Sequence, residues 1–284
     1  MSTLNPMKSP LVSLIVFCLV QPVVFGGGLT KDELRLSACT VNGSWTSYHV
    51  LLPNEVEKWS GSAGALKVYK TKQYPQGLLF LITNSHVIHL AKLAGSALDD
   101  APVVLEYGMS VVLPSSKQKP VLGFMEEKTG KDLAILVVDA AGLVEREDYV
   151  VLPDGSGEQL SEGKDVVAVG SPLGLPGTQT FGKISALRPL SDGLWIQTDT
   201  AINSGNSGGP LFLKARTLRH PIDGEFLWVG VNTLGCKKDK AEGLNFAISA
   251  KDALFSEYSD FYPATKEGAA KNIRELRRVN ASSR

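Results

Sequence analysis

Residues 201–211 read AINSGNSGGPL, which sets Ser207 among three glycines directly before Pro210 and an apolar run. A serine hydroxyl becomes a useful nucleophile only with a base within hydrogen-bond reach, a group orienting that base, and backbone N–H donors aimed where negative charge develops. Glycine supplies the last requirement. Without a Cβ, Gly205 and Gly208 can take dihedrals closed to other residues and let another backbone approach. The N–H groups of Gly205 and Ser207 can then converge on one point, with Asn206 holding the turn between them.

For the base, the chain offers His49, His86, His89 and His220. His86 stands out because LLFLITNSHVI (78–88) ends an apolar strand in a polar turn, a place from which a side chain can leave the core and face a cleft. A histidine alone is more often structural than catalytic, so it needs a carboxylate partner. TGKDLAILVVD (129–139) provides one: Asp132 directly precedes a strand apolar enough to be buried, where an acid must be paired or hydrogen-bonded to stay charged. Each of the three residues also has an ordinary structural reading, as a core histidine, a turn aspartate or a loop serine.

Positioning three residues so far apart in the chain requires a rigid frame, and the pattern from about 40 to 250 is one of period-2 alternation and turn punctuation. An earlier group of strands covers a poorly defined one within 40–52, then 65–70, 78–83, 102–114, 120–127 and 133–138. A later group covers 165–170, 180–187, 194–199, 210–213, 226–234 and 244–249. Six and six, joined by the polar stretch 152–164, predict an all-β fold of tandem antiparallel six-stranded barrels, about 40–150 and 160–250, because closure removes exposed sheet edges. One short helix is expected at 86–94. The 28 glycines and 43% hydrophobic content fit a turn-rich globular β fold with a sizeable core.

In this order, LITNSHVI, KDLAILVV, VAVGSPLGL, IQTDTAINSGNSGGPL and GLNFAIS closely resemble the trypsin-like HtrA (Deg) serine peptidases over about residues 60–250. The resemblance implies a chymotrypsin-like double barrel with His86, Asp132 and Ser207 as a catalytic triad in the cleft between barrels. The chain order His, Asp, Ser agrees with that fold. It further implies that Ser207 attacks the scissile carbonyl, His86 shuttles the proton and Asp132 fixes the imidazole tautomer, with Gly205, Asn206 and Ser207 forming the oxyanion hole.

Where trypsin-like enzymes selecting Lys or Arg carry an acid six residues before the serine, this chain has Ala201. With Val231 and Leu234 as expected pocket walls, cleavage is expected after small to medium apolar residues, since a buried cation would find no partner. The strand around Gly230, Val231 and Asn232 is expected to pair with substrate backbone. No acid precedes the nucleophile to capture a new amino terminus, because that position is Asn206. The usual proline before Gly205 is Ser204, and 214–226 is longer than the hairpin usual in the family.

Two other readings compete. The G-x-S-x-G pattern of α/β-hydrolases needs a helix after the serine and a later acid and histidine, whereas Pro210 and a strand follow here and His220 is the only later histidine. The other is a protease-like binding module or chaperone without catalysis, against which the complete set of three residues argues.

Outside the frame, Lys8 and the 15-residue apolar run 11–25 ending in Gly26–Gly28 predict a signal peptide at 1–28, and hence export to the periplasm or the exterior. The run is shorter than the ~20 residues of a spanning helix, although an uncleaved anchor is the alternative. LSAC (36–39) resembles a lipoprotein cleavage box but is separated from the apolar run by charged residues. The leader takes Cys18 with it, leaving Cys39 and Cys236 either as a disulfide or as two separate thiols.

Residues 29–260 form the expected peptidase domain. The basic tail 261–284 is expected as a solvated helix or frayed end, with Ala270, Ile273 and Leu276 on one side. The residues after Ala250 are too few for the PDZ domain that usually follows in the family. Lys plus Arg and Asp plus Glu are both 29, so charge supplies no case for nucleic acid. The expected partners are polypeptide substrates, unfolded ones included, with no metal, no cofactor and no membrane span once the leader is removed. Nothing in the residues supports the trimer common in the family.

Overall fold

In the computed structural model, the described residues are 27–49, 52–88, 103–215, 225–235, 243–265, 267–269 and 271–272. Residues 1–26 of the expected leader 1–28, His89, His220, Cys236, most of the 214–226 stretch, and Ala270, Ile273 and Leu276 lie outside them.

The first barrel is built from β1 (Ala38–His49), β2 (Leu52–Tyr69), β3 (Leu78–Thr83), β4 (Val103–Val112), β5 (Gln118–Glu126) and β6 (Ala134–Asp139). They pair in the order β5-β4-β1-β2-β3-β6, and β5 with β6 closes the ring. The second consists of β7 (Asp165–Gly170), β8 (Thr178–Leu190), β9 (Gly193–Thr198), β10 (Pro210–Ala215), β11 (Glu225–Gly235) and β12 (Asn245–Ser249). These close as β10-β11-β12-β9-β8-β7. Every strand pair in both rings is antiparallel.

Three apolar clusters hold this together. Leu79, Leu81, Val111, Phe124, Leu136 and Val138 fill the first barrel, and Ala168, Ile184, Ile196, Leu211, Leu213 and Val229 fill the second. Between the barrels, Phe80, Ile82, Ile135 and Val137 pack against Val169, Phe212, Trp228 and Val231. β3 and β6 therefore bury both faces, which is why LLFLIT and AILVVD are continuously apolar instead of alternating.

Several elements depart from the sequence expectation. β2 runs 18 residues rather than the six of 65–70. Its first part is rich in polar and small residues and is held as a strand by β1, which pairs with it from Ala38↔Gly64 to His49↔Leu52. The helix expected at 86–94 is described only as α1 (Ser85–Ile88). A second helix, α2 (Ala250–Phe255), has its N-cap Ser249 Oγ accepting from the Asp252 N–H. Cys39 is a free thiol buried in the first barrel, and burial pushes its pKa up to about 12. Cys236, the other half of the bridge considered above, lies outside the described residues.

The segments flanking the barrels cross over. Leu29 exchanges two backbone hydrogen bonds with Phe226 of the second barrel (3.0 and 2.8 Å). Beyond α2 the chain returns to the first barrel, where β13 (Tyr262–Pro263) pairs with β5. Tyr262 stacks on Phe124 at 5.7 Å, Ala269 is fully buried, and Asn272 Nδ2 donates to the buried Glu126 carboxylate at 2.6 Å. This part of the tail is packed, correcting the expectation of a solvated end. Burial pushes Glu126 above the usual carboxylate range, the Asn272 bond opposes that, and the charge of Asp132 adds to it.

The return depends on Gly123, since a Cβ there would lie 2.1 Å from the Phe261 ring and 2.5 Å from the Tyr262 carbonyl. Gly123→Ala is expected to lower unfolding free energy by about 1–3 kcal/mol, as overpacking does, and to release the segment after Ser256. Chemical denaturation and limited proteolysis would show both.

Candidate active site

β3 ends at Thr83, and the corner that follows is tied to the start of β6 by three hydrogen bonds. Asn84 Nδ2 donates to the Asp132 carbonyl (2.7 Å), Ser85 Oγ to the Leu133 carbonyl (2.7 Å), and the His86 N–H to Asp132 Oδ1 (2.9 Å). This lattice sets the imidazole against the acid, with His86 Nδ1 and Asp132 Oδ2 2.6 Å apart. A carboxylate only accepts, so Nδ1 carries the proton and Nε2 is left with its lone pair for the cleft. Asp132 is itself held by the turn before it, where Glu127 accepts from the Thr129 and Lys131 N–H groups. From the second barrel, the Thr233 hydroxyl reaches Asp132 Oδ2 at 3.3 Å.

Ser207 lies across the seam on the loop before β10. His86, Asp132 and Ser207 line one cleft of about 410 Å³, whose other walls are Trp195, Ile202, Asn203, Ser204 and Thr233. The Ser207 hydroxyl donates to the Thr233 carbonyl at 3.3 Å. Among the described residues it makes no hydrogen bond to His86, a contact that in such sites tightens when substrate binds.

The loop has the order an anion-binding turn needs. Gly205 has φ +97°, and Gly208 has φ +85° with room for no side chain, because a Cβ would lie 2.1 Å from Thr83 Oγ1. The Ser204 carbonyl accepts from the Leu173 N–H (3.1 Å) and the Asn206 carbonyl from the Gly209 N–H (3.0 Å). In a trans peptide the next N–H points opposite the carbonyl. The N–H groups of Gly205 and Ser207 are thereby turned away from these anchors, and neither is bonded to an acceptor among the described residues. Asn206, between them, is buried and supports the turn, its Nδ2 reaching the Ala201 carbonyl at 3.4 Å.

Ser62 of β2 fastens this loop to the first barrel: its N–H donates to the Ser207 carbonyl (2.8 Å), its hydroxyl donates to the Gly205 carbonyl (2.6 Å), and that same hydroxyl accepts from the Ser171 N–H (2.9 Å).

The pocket residues expected from sequence fare differently. Gly230 and Val231 pair on both sides, with β10 and β12, and Val231 is buried in the interface between barrels. Asn232 bonds through its backbone to Gly208 and Gly209 (2.8 Å each) and through Nδ2 to the Pro210 carbonyl (3.1 Å). These three therefore brace the nucleophile loop and have no edge left for a substrate strand. On the β10 side the unpaired stretch is Thr233–Gly235, where the Leu234 side chain lies outside the described residues. Ala201 is exposed, its carbonyl accepting from Thr180 Oγ1 at 2.9 Å. The apolar surface beside Ser207 comes instead from Ile202 and Trp195, which sequence reasoning passed over as strand and loop residues.

The trypsin-like peptidase domain family matches residues 69–218. The putative serine protease HhoB of Synechocystis is 35% identical over 61% of this chain and 35% of its own length. A probable periplasmic serine endoprotease DegP-like of Halomonas elongata is 37% identical over 62% of this chain and 31% of its own. The serine protease Do-like HtrA of Bacillus subtilis is 31% identical over 70% and 38% respectively. The chain thus spans about a third of the length of these curated relatives. Among solved structures, the HtrA-type protease AlgW with a decapeptide shares the fold at a TM-score of 0.53 and 23% identity, over 78% of this chain and 63% of that one.

Ser62→Ala would remove the donor to Gly205 and leave the buried Ser171 N–H without its acceptor. The expected cost is about 1–3 kcal/mol of folding stability, measurable by urea denaturation.

Proposed function

The chain belongs to the trypsin-like peptidase family, and on that premise we propose that it is a serine endopeptidase working through His86, Asp132 and Ser207. The single observation that carries this is the 2.6 Å pairing of Asp132 with His86 Nδ1 in the same cleft as Ser207, whose own N–H and that of Gly205 are bonded to no acceptor among the described residues. Ser207 attacks the scissile carbonyl while His86 Nε2 takes its proton. The Gly205 and Ser207 N–H groups receive the oxyanion, and the proton passes from His86 to the leaving amine. Water then repeats the sequence on the acyl-enzyme.

Ile202 and Trp195 beside Ser207, with no acid other than Asp132 among the described cleft residues, support a preference for small to medium apolar residues before the scissile bond. An extended substrate would add along Leu234–Gly235, next to Thr233 of the cleft, where β11 has no β10 partner among the described residues. The apolar leader and relatives named as periplasmic endoproteases support export, with protein quality control or processing outside the cytoplasm as the role. Among the described residues no helix is long and apolar enough to cross a membrane.

A fluorophosphonate probe is expected to label the purified protein at Ser207, with labelling abolished by Ser207→Ala and greatly weakened by His86→Ala. Turnover should fall by about four to six orders of magnitude when a triad member is removed. An unlabelled wild-type protein would favour the silent binding module, and cleavage of a peptide library after Lys or Arg would overturn the pocket assignment.

A further inference from the structure

Asn84 lies at the point where the two barrels share the acid. It is fully buried at the end of β3. Its side-chain amide faces the Asp132 backbone carbonyl at 2.7 Å and also contacts Thr233 Oγ1 on β11. A carbonyl can only accept, so the atom turned toward it must be the amino group, whose two hydrogens serve the two contacts. Asn84 Oδ1 has no partner among the described residues. The amino half is thus the half the site uses.

This fixes a proton. With Asn84 donating to Thr233 Oγ1, the hydroxyl's single hydrogen is directed to Asp132 Oδ2, 3.3 Å away. Turning the amide over would set an acceptor against two oxygens and reverse the chain of donors. The order Asn84 to Thr233 to Asp132 is therefore the one the chemistry allows, and it gives the carboxylate a third donor besides the two from His86.

We propose that Asn84 is a positioning residue: by setting the direction of the Thr233 hydroxyl proton it holds the Asp132 carboxylate in the orientation that His86 requires. The inference rests on reading His86, Asp132 and Ser207 as a catalytic triad. Asn84 touches no reacting atom. Its effect reaches the reaction through a hydroxyl of the opposite barrel, so the alignment of the base depends on the registry of the two barrels at this point.

Steady-state hydrolysis of a peptide taken from the library profile, with fluorophosphonate labelling alongside, tests it. Asn84→Ala and Thr233→Val are each expected to lower kcat by about 10- to 100-fold, the scale of a hydrogen bond to a charged group, with KM within about twofold of wild type. Because both substitutions interrupt one chain of donors, the double variant should lose no more than the weaker of the two singles. Thr233→Ser, which keeps the hydroxyl, should turn over at least tenfold faster than Thr233→Val.

A wild-type kcat in either single variant, losses that multiply in the double, or equal rates for Thr233→Ser and Thr233→Val would overturn the inference. If Asn84→Ala does not fold, Asn84→Leu, which keeps the volume but not the donors, takes its place with the same expected loss, and a wild-type kcat in it would overturn the inference. Failure of the unsubstituted protein to label would overturn the triad reading and this inference with it. Labelling combined with an unaffected Thr233→Val would overturn the inference only.

Discussion

A carboxylate in a partly closed seam must be surrounded by donors, and at Asp132 those donors come from both halves of the molecule. Two belong to His86 and one to Thr233. The side chain keeps about 30% of its surface exposed, so it is not isolated in a dry core, yet its oxygens have little freedom left. Everything else at the site follows from satisfying this one acceptor. The β3 corner has to meet the start of β6, and β11 has to pass close enough to offer a hydroxyl. The apolar packing of Phe80, Ile82 and Val137 against Phe212 and Trp228 holds those elements in register.

The opposite wall of the cleft is ordered by a different rule. A loop that must present bare N–H groups cannot also leave its carbonyls bare, since buried polar groups need partners. Residues 203–209 meet this by handing carbonyls to Leu173, Ser62 and Gly209, which leaves the Gly205 and Ser207 amides without an acceptor among the described residues. Gly205 and Gly208 are the positions where the path demands a positive φ with backbone crowded alongside. The cluster of glycines around Ser207 is thus a requirement of the path, and it is met at the points where another residue would collide.

How much of this was legible depended on whether a residue's environment left a mark in its neighbours. His86 and Asp132 could be found because each stands at the polar end of a strand so apolar that its side chain must leave the core. β3 and β6 were readable as continuous apolar runs and most other barrel strands from alternation and turns, the first of them only poorly. The length of β2 was not, because residues 52–64 carry no apolar period and owe their extended form to pairing with β1. Gly230–Asn232 were misassigned for a related reason: whether a strand has a free edge depends on pairing with segments distant in sequence, to which periodicity is blind. Trp195 sits in a stretch that reads as ordinary strand, and only the closure of the second barrel brings it beside Ser207. Ala269 and Asn272 looked like parts of a basic tail because their partners, β5 and Glu126, lie over 140 residues earlier.

The exchange of ends described for Leu29 and for Tyr262–Pro263 has a consequence for how the protein comes into being. Each half is completed by a piece encoded next to the other half, but the piece for the second barrel, Leu29, is made before it, whereas the piece for the first is made after both. The first must wait, with the β5 edge open at Gly123–Phe124, until the stretch Tyr262–Pro263 has been made. Assembly of the cleft is thereby made a late event, and a molecule cut short before that stretch would leave an unsealed β edge, with its exposure to aberrant pairing, in place of a smaller working enzyme.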